Sequence, residues 1–220
     1  RPELNARGVQ AGDFVLTTRA RGFMIESTGI DFKTLEDGTM DSPLGVSTGA
    51  ADIFANTGGV MEAALRTVYE IVTGREFPAA NLRLAPVEGL QGIKEASLVI
   101  TGTLPEWSFL ENVEAKVAVA HGLANAAQLL DAIKTGKASY HFIEIMTCPG
   151  GCIGGGGQPR YTDDAVRLAR INAIYEEDAG KKLRKSHTNP QVKVLYDEYL
   201  KKPLGEKSHH LLHTHYHERD

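Results

Sequence analysis

An α/β fold, with a mostly parallel sheet flanked by helices and a helical tail wrapped around it, is what three features of the sequence predict. The stretch from Ala115 to Met146 alternates strand, helix and strand over the length that parallel crossovers use. Further β-type apolar runs lie between Leu82 and Ala120. The last third of the chain divides into helical segments too short to form a core of their own, as expected of a tail that packs on a larger body.

A chain of 220 residues and 23.8 kDa suits one large domain with a small appendage. The expected division is 1–160 for the α/β body and 161–220 for the tail. Apolar residues make up 42% and charged residues 24%, too apolar for a disordered chain. The net charge of −4 and pI of about 6.1 argue against nucleic-acid binding driven by phosphate contacts. No apolar window approaches the roughly 18 to 20 residues of a membrane-spanning helix. Two cysteines exclude a disulfide scaffold and point to a reducing, cytoplasmic compartment.

Taken in order, Asp13 to Thr18 reads as a short strand and Thr18 to about Glu26 as a helix. Asp31 to Ala51 carries Gly38, Pro43, Gly45 and Gly49 without a sustained period, which predicts an ordered loop of functional length. Val60 to Tyr69 is an amphipathic run of good helix formers ending near Gly74, and Gly58 and Gly59 stand at its start. Two readings of that pair stay open. Free N–H groups there could face an anion or an electron-rich ligand, or the glycines could make a tight turn that packs the helix on a sheet.

Three strand candidates follow, Leu82–Val87, Ala96–Thr101 and Ala115–Ala120, the second and third most simply paired antiparallel. A helix from Leu123 to about Lys134 is stopped by Gly136 and leads into the strand Tyr140–Met146. Ligands of such sheets bind at the carboxyl ends of the strands, where Thr147 to Cys152 come next. In the tail, Thr162 is the expected cap of a helix running to about Asp178, Asn189 and Pro190 open a second helix to Leu200, and a last one lies near Ser208.

Cys148 and Cys152 are separated by Pro-Gly-Gly and followed by Ile153, four glycines, Gln158 and Pro159. Two thiols can face one point while backbone nearly free of side chains crowds around it. Thiolates are soft ligands that select zinc, copper(I) or iron–sulfur clusters. A zinc site wants four ligands, and only His141 lies near on the same strand; an iron–sulfur cluster wants about four as well, so a second pair would come from elsewhere. Two buried free cysteines beside a flexible loop are the plain alternative.

The run Glu144 to Pro159 closely resembles the last of three signature motifs of [FeFe]-hydrogenases. Thr57 to Leu65, Gly89 to Ala96, and the tail with Arg184-Lys185-Ser186-His187 and Ser208 to Tyr216 extend the resemblance over nearly the whole chain. The resemblance implies reversible interconversion of H2 with protons and electrons. It implies a [4Fe–4S] cubane bridged by a cysteine sulfur to a two-iron centre with CO, cyanide and a dithiolate ligand. By the match of motifs, Cys148 should ligate the cubane, Cys152 should bridge the two centres, Met146 should pack beside the two-iron centre, and Phe54 with Ala55 should line its other side. Ala55 stands where some relatives have Gly.

The family's first two motifs, which carry the other two ligands, are absent from this chain. The resemblance places them just upstream of Arg1, so the expected context is the C-terminal portion of a larger catalytic domain. The partners it implies are that upstream part, in the same chain or another subunit, and an electron carrier such as ferredoxin or an NAD(P)-linked subunit. A non-catalytic relative used for iron–sulfur assembly or sensing is the second expectation. His209, His213 and His217 would share a helix face and could bind a transition metal, or be solvated like most terminal histidines.

Overall fold

Strand β2 (Glu114–His121) carries an unbroken buried run from Val117 to His121, the pattern of a strand covered on both faces, and among the described residues it is the middle one of three strands in the sheet. The computed structural model describes residues 13–39, 41, 44–77 and 92–213. Strand β1 (Ile93–Val99) pairs antiparallel with β2, Ile93 opposite Ala120 and Val99 opposite Glu114. Strand β3 (Phe142–Met146) pairs parallel with it, Val117 beside Phe142 and His121 beside Met146.

The fold class is the expected α/β one. Where the sequence predicts a mostly parallel sheet, the described strands divide evenly between one antiparallel and one parallel pair. The reason is the connection between β1 and β2, which holds only a 3-10 helix, Pro105–Leu110, and turns the chain straight back.

Period-2 alternation along β2 gives the sheet two covered faces. Val117 and Val119 pack against Met61 and Leu65 of helix α3 (Gly59–Thr73), and Ala118 and Ala120 pack against Leu129 and Ile133 of helix α4 (Leu123–Lys134). Gly58, at φ +94°, starts α3, and Gly74, at φ +65°, ends it with its N–H on the Glu70 carbonyl.

An anion does face the start of α3, and it belongs to the protein. The Glu144 carboxylate of β3 accepts the Gly58 N–H at 2.6 Å on one oxygen and the Met61 N–H at 2.7 Å on the other. The glycine pair is therefore the turn that docks the helix on the sheet, as the second reading had it. Glu144 lies in one cross-sheet row with Val119 and the buried Lys94. Burial pushes the Glu144 carboxyl up, against the two N–H donors and Lys94, and burial pushes the Lys94 ammonium down, against Glu144.

The tail lies along the other side of α3. Helix α5 (Asp164–Gly180) places Ile174 and Tyr175 on Ala50, Ile53 and Ala63, the first of which belongs to helix α2 (Gly49–Asp52). A Cβ on Gly49 would fall 1.9 Å from Asp178 Oδ1, so only glycine lets α2 sit there.

A buried ionic network binds these parts. Arg66 of α3 reaches both oxygens of Asp178, at 2.8 and 2.7 Å, and Glu62 at 2.5 Å. Arg184 adds a bond to Asp178 at 2.6 Å, and the Tyr175 hydroxyl donates to Glu62 at 2.8 Å. Against burial, Arg66 and Arg184 hold the Asp178 carboxyl below its ordinary range, and burial together with the Glu62 charge pushes the Tyr175 phenol up. The residues just after α5 thus clamp α3: Lys185 pairs with Glu70 at 2.6 Å and His187 Nδ1 lies 3.1 Å from the Thr67 hydroxyl.

Several expectations are corrected. The stretch expected as a strand at Asp13–Thr18 is extended but pairs with no strand among the described residues, and Phe14 and Val15 are 89% and 97% exposed. β-type composition does not make a strand without an edge to pair with. Helix α1 (Thr18–Ser27) follows as predicted, capped by Thr17, and buries none of its side chains. The loop expected from Asp31 to Ala51 contains α2, which Thr48 caps. In the tail, Asp163 caps α5 through the Val166 N–H, because Thr162 spends its hydroxyl on the Pro159 carbonyl.

Helix α6 (Pro190–Val194) continues to Leu200 in wider π turns, and helix α7 (Glu206–Leu212) ends before His213. The candidate strand Leu82–Val87 lies outside the described residues.

Replacing Asp178 by Asn should cost about 3 kcal/mol, because it removes the charge that two guanidinium groups share in a buried site. Urea denaturation should show this as a lower midpoint at unchanged slope. The folded pKa of Asp178 lies below its unfolded value, so its contribution is full above about pH 4 and is lost as pH falls through the folded pKa. The wild-type midpoint should hold between neutral pH and about pH 5 and drop in stronger acid, a drop that Asp178→Asn should reduce.

Candidate functional site

Both β2 and β3 end at the same edge of the sheet, and the Gly122 N–H closes that end on the Met146 carbonyl at 2.8 Å. The chain then leaves β3 through Thr147 into the turn that carries both cysteines. Cys148 is half-buried, Cys152 is exposed, and both thiols are free. This is the carboxyl end of a parallel pair, where the sequence reading placed a ligand.

The turn between the cysteines closes on itself and on the body. The Gly151 N–H donates to the Cys148 carbonyl at 3.0 Å, with Gly150 at φ +80° and Gly151 at φ +89°, backbone that favours glycine. The Thr57 N–H donates to the Gly150 carbonyl at 3.1 Å, and the Gly150 N–H donates to His121 Nδ1 at 3.2 Å. A Cβ on Gly151 would lie 2.8 Å from both the Met146 sulfur and the Thr57 nitrogen. Met146, Gly151 and the Asn56–Thr57 backbone are therefore in contact.

The glycines after Cys152 do different jobs. A Cβ on Gly154 would strike the Pro149 carbonyl at 2.2 Å, one on Gly155 would sit 3.4 Å from the Cys148 sulfur, and one on Gly156 would meet nothing within 4 Å. Two glycines thus bring the chain back onto the Cys148 side of the turn, and the third leaves open space. Arg170 of α5 donates to the Ile153 carbonyl at 2.6 Å, and the Gln158 side chain donates to the Cys152 carbonyl at 3.1 Å. Arg19 of α1 holds the far end through the Gly157 and Gln158 carbonyls, at 2.9 and 3.1 Å. Tail, body and α1 all converge on this loop, and the side chains that α1 and α5 bring to its carbonyls are cationic.

Phe54 and Ala55 sit on the 3-10 turn Ile53–Ala55, immediately before the Asn56–Thr57 backbone that touches Gly150 and Gly151. Ile53 takes the core position there at 0% exposure and leaves Phe54 46% exposed. Met146 is half-buried. The structure thus brings Met146, at the end of β3, together with the turn that carries Cys148 and Cys152, and sets the Phe54–Ala55 turn alongside.

Two free thiols on a glycine-lined turn fit the cysteine share of an iron–sulfur group, and among the described residues they are two of the four ligands it wants. For zinc, no group of three or more His, Cys, Asp or Glu converges among the described residues. His141 lies at the start of β3, away from the cysteines, with its Nδ1 on the Lys116 N–H. The His209 and His213 rings lie 4.2 Å apart and tilted, where α7 ends at Leu212, and His217 is outside the described residues.

Sequence reasoning passed over His121, Arg170 and the docking role of Glu144. The signal for His121 was present: it continues the buried alternation of Val117 and Val119 at a strand's carboxyl end, where a polar side chain needs a partner. Arg170 carried no signal, because its contact is made across 17 residues by a helix from the tail.

A family model for the iron-only hydrogenase large subunit, C-terminal domain, matches residues 1–156, and one for the iron hydrogenase small subunit matches residues 164–219. The NADP-reducing hydrogenase subunit HndD of Solidesulfovibrio fructosivorans is 47% identical over all of this chain and 35% of its own length. The periplasmic [Fe] hydrogenase large subunit of Nitratidesulfovibrio vulgaris is 50% identical over 72% of this chain and 35% of its own. Cytosolic iron-sulfur assembly component 3 of Rattus norvegicus is 30% identical over 93% of this chain and 41% of its own.

The structure of the [FeFe]-hydrogenase HydA(deltaEFG) superposes with a TM-score of 0.79 at 41% identity, covering 98% of this chain and 58% of that one. The chain thus spans about a third of the length of the hydrogenase subunits it matches.

Gly151→Ala should destabilise the protein by about 2 kcal/mol, from a forced left-handed residue and overpacking against Met146 and Thr57. Gly156→Ala should change the denaturation midpoint by less than about 0.5 kcal/mol, since its Cβ meets open space. Urea titration of the two variants side by side checks the contrast.

The chain belongs to the iron-only hydrogenase family.

Proposed function

We propose that this chain is the C-terminal part of a hydrogenase catalytic domain, which interconverts H2 with two protons and two electrons. The observation that carries the reading is the pair of free thiols, Cys148 and Cys152, on a glycine-lined turn beside Met146 at the carboxyl ends of β2 and β3. The likeness of the whole chain to an NADP-reducing hydrogenase subunit supports it. When bound, a [4Fe–4S] cubane bridged to a two-iron centre with CO, cyanide and a dithiolate ligand supplies the H2 chemistry.

In this reading Cys148 would hold the cubane and Cys152 would be the bridging ligand. The half-buried Met146 thioether and the Phe54–Ala55 turn form an apolar, polarisable wall that limits water. The thiolates that complete the cluster come from an upstream part of the same catalytic domain, in the same polypeptide or another subunit. Electrons pass to a carrier such as ferredoxin or an NAD(P)-linked subunit, in the cytoplasm.

A second reading, a non-catalytic iron–sulfur protein of assembly or sensing, is favoured by the likeness to cytosolic iron-sulfur assembly component 3 over 93% of the chain. The two separate in one experiment. The complete polypeptide with its upstream motifs, supplied with the two-iron cofactor, is assayed for H2 evolution from reduced methyl viologen, with iron content measured in parallel. Activity that Cys152→Ser abolishes is the expected result. Iron at the level of a cubane without H2 evolution would establish the second reading instead.

A further inference from the structure

We propose that His121 is a positioning residue for the cysteine turn, acting as a hydrogen-bond acceptor that fixes how Cys148 and Cys152 are presented. The inference rests on the reading of these cysteines as cluster ligands and adds a residue to that site. His121 closes β2, is 5% exposed, and is held in register with Met146 by the parallel pairing. Its Nδ1 stands 3.2 Å from the Gly150 nitrogen and 3.4 Å from the Thr57 hydroxyl.

The chemistry of the contact sets the form of the ring. An amide nitrogen can only donate, so Nδ1 must present its lone pair and the ring proton must sit on Nε2. One acceptor thereby holds the peptide before Gly150, while the Thr57 N–H holds the peptide after it at 3.1 Å.

Those two peptides form the middle of the link between the thiols. Gly150 and Gly151 are both left-handed, and glycine without such restraints samples that region and its mirror image about equally. A turn free to rotate there would vary the separation and direction of the two sulfurs, whereas a polynuclear cluster needs them fixed. Met146 and Thr57 restrain the turn by packing, and His121 and Thr57 restrain it by hydrogen bonds. Asparagine is the discriminating replacement, because its Oδ1 can reach the place of Nδ1, and leucine fills the space without an acceptor.

The test uses the complete polypeptide in its iron-free form and reads the rates at which iodoacetamide alkylates Cys148 and Cys152, resolved by mass spectrometry. In the wild type the half-buried Cys148 should react more slowly than the exposed Cys152. His121→Leu should raise the Cys148 rate about tenfold, the gain in open population when one buried hydrogen bond is lost, and leave Cys152 unchanged. His121→Asn should keep the wild-type ratio.

An unchanged ratio in a folded His121→Leu protein would overturn the proposal. If the leucine variant unfolds, His121→Asn decides: the wild-type ratio supports the acceptor role, and a collapsed ratio or an unfolded chain refutes it. The cluster reading fails separately, by lack of iron uptake in the complete polypeptide, which leaves the alkylation result standing.

Discussion

The Glu144 carboxylate, seated between the N–H groups of Gly58 and Met61, fixes how α3 meets the sheet. A helix start leaves N–H groups that must find acceptors, and a buried carboxylate must find donors, so each resolves the other's cost. The bond places the residues before α3, including Phe54, Ala55 and Thr57, beside the end of β3, since Glu144 stands two residues from Met146 and four from Cys148. The cysteine turn then has a backbone to close on.

A second constraint works from behind. Arg66 lies on the same helix two turns further on, and the Arg66–Asp178–Arg184 cluster holds α3 against the tail. Buried ion pairs add little net stability, but removing or misplacing one partner is costly because it leaves a buried charge without compensation. The tail also reaches forward, through Arg170 to the carbonyl next to Cys152. The segment that matches a small subunit therefore forms one wall of the candidate site as well as a cover for the body.

Glycine at this site is used mainly for close approach. Gly151 admits Met146 and Thr57, Gly154 admits the Pro149 carbonyl, and Gly49 admits Asp178 at the tail interface. Only Gly156 borders open space, so the glycine run is chiefly a means of folding the loop back on the cysteines.

The sequence by itself determined the elements whose periodicity is local: α3 and its glycine ends, the β2–α4–β3 crossover, the antiparallel return of β1, and the cysteine turn after β3. Apolar period and turn chemistry are written in neighbouring residues, which is why those readings survive. It could not determine which exposed or buried role a polar side chain takes, because that depends on partners far along the chain. Glu144 meets its N–H donors across more than 80 residues and Arg66 meets Asp178 across 112. Pairing of the Asp13–Thr18 stretch needs a sheet edge that composition cannot supply. The tertiary structure decided these points, since burial turns an unpaired charge or amide into a cost that only a specific distant partner removes.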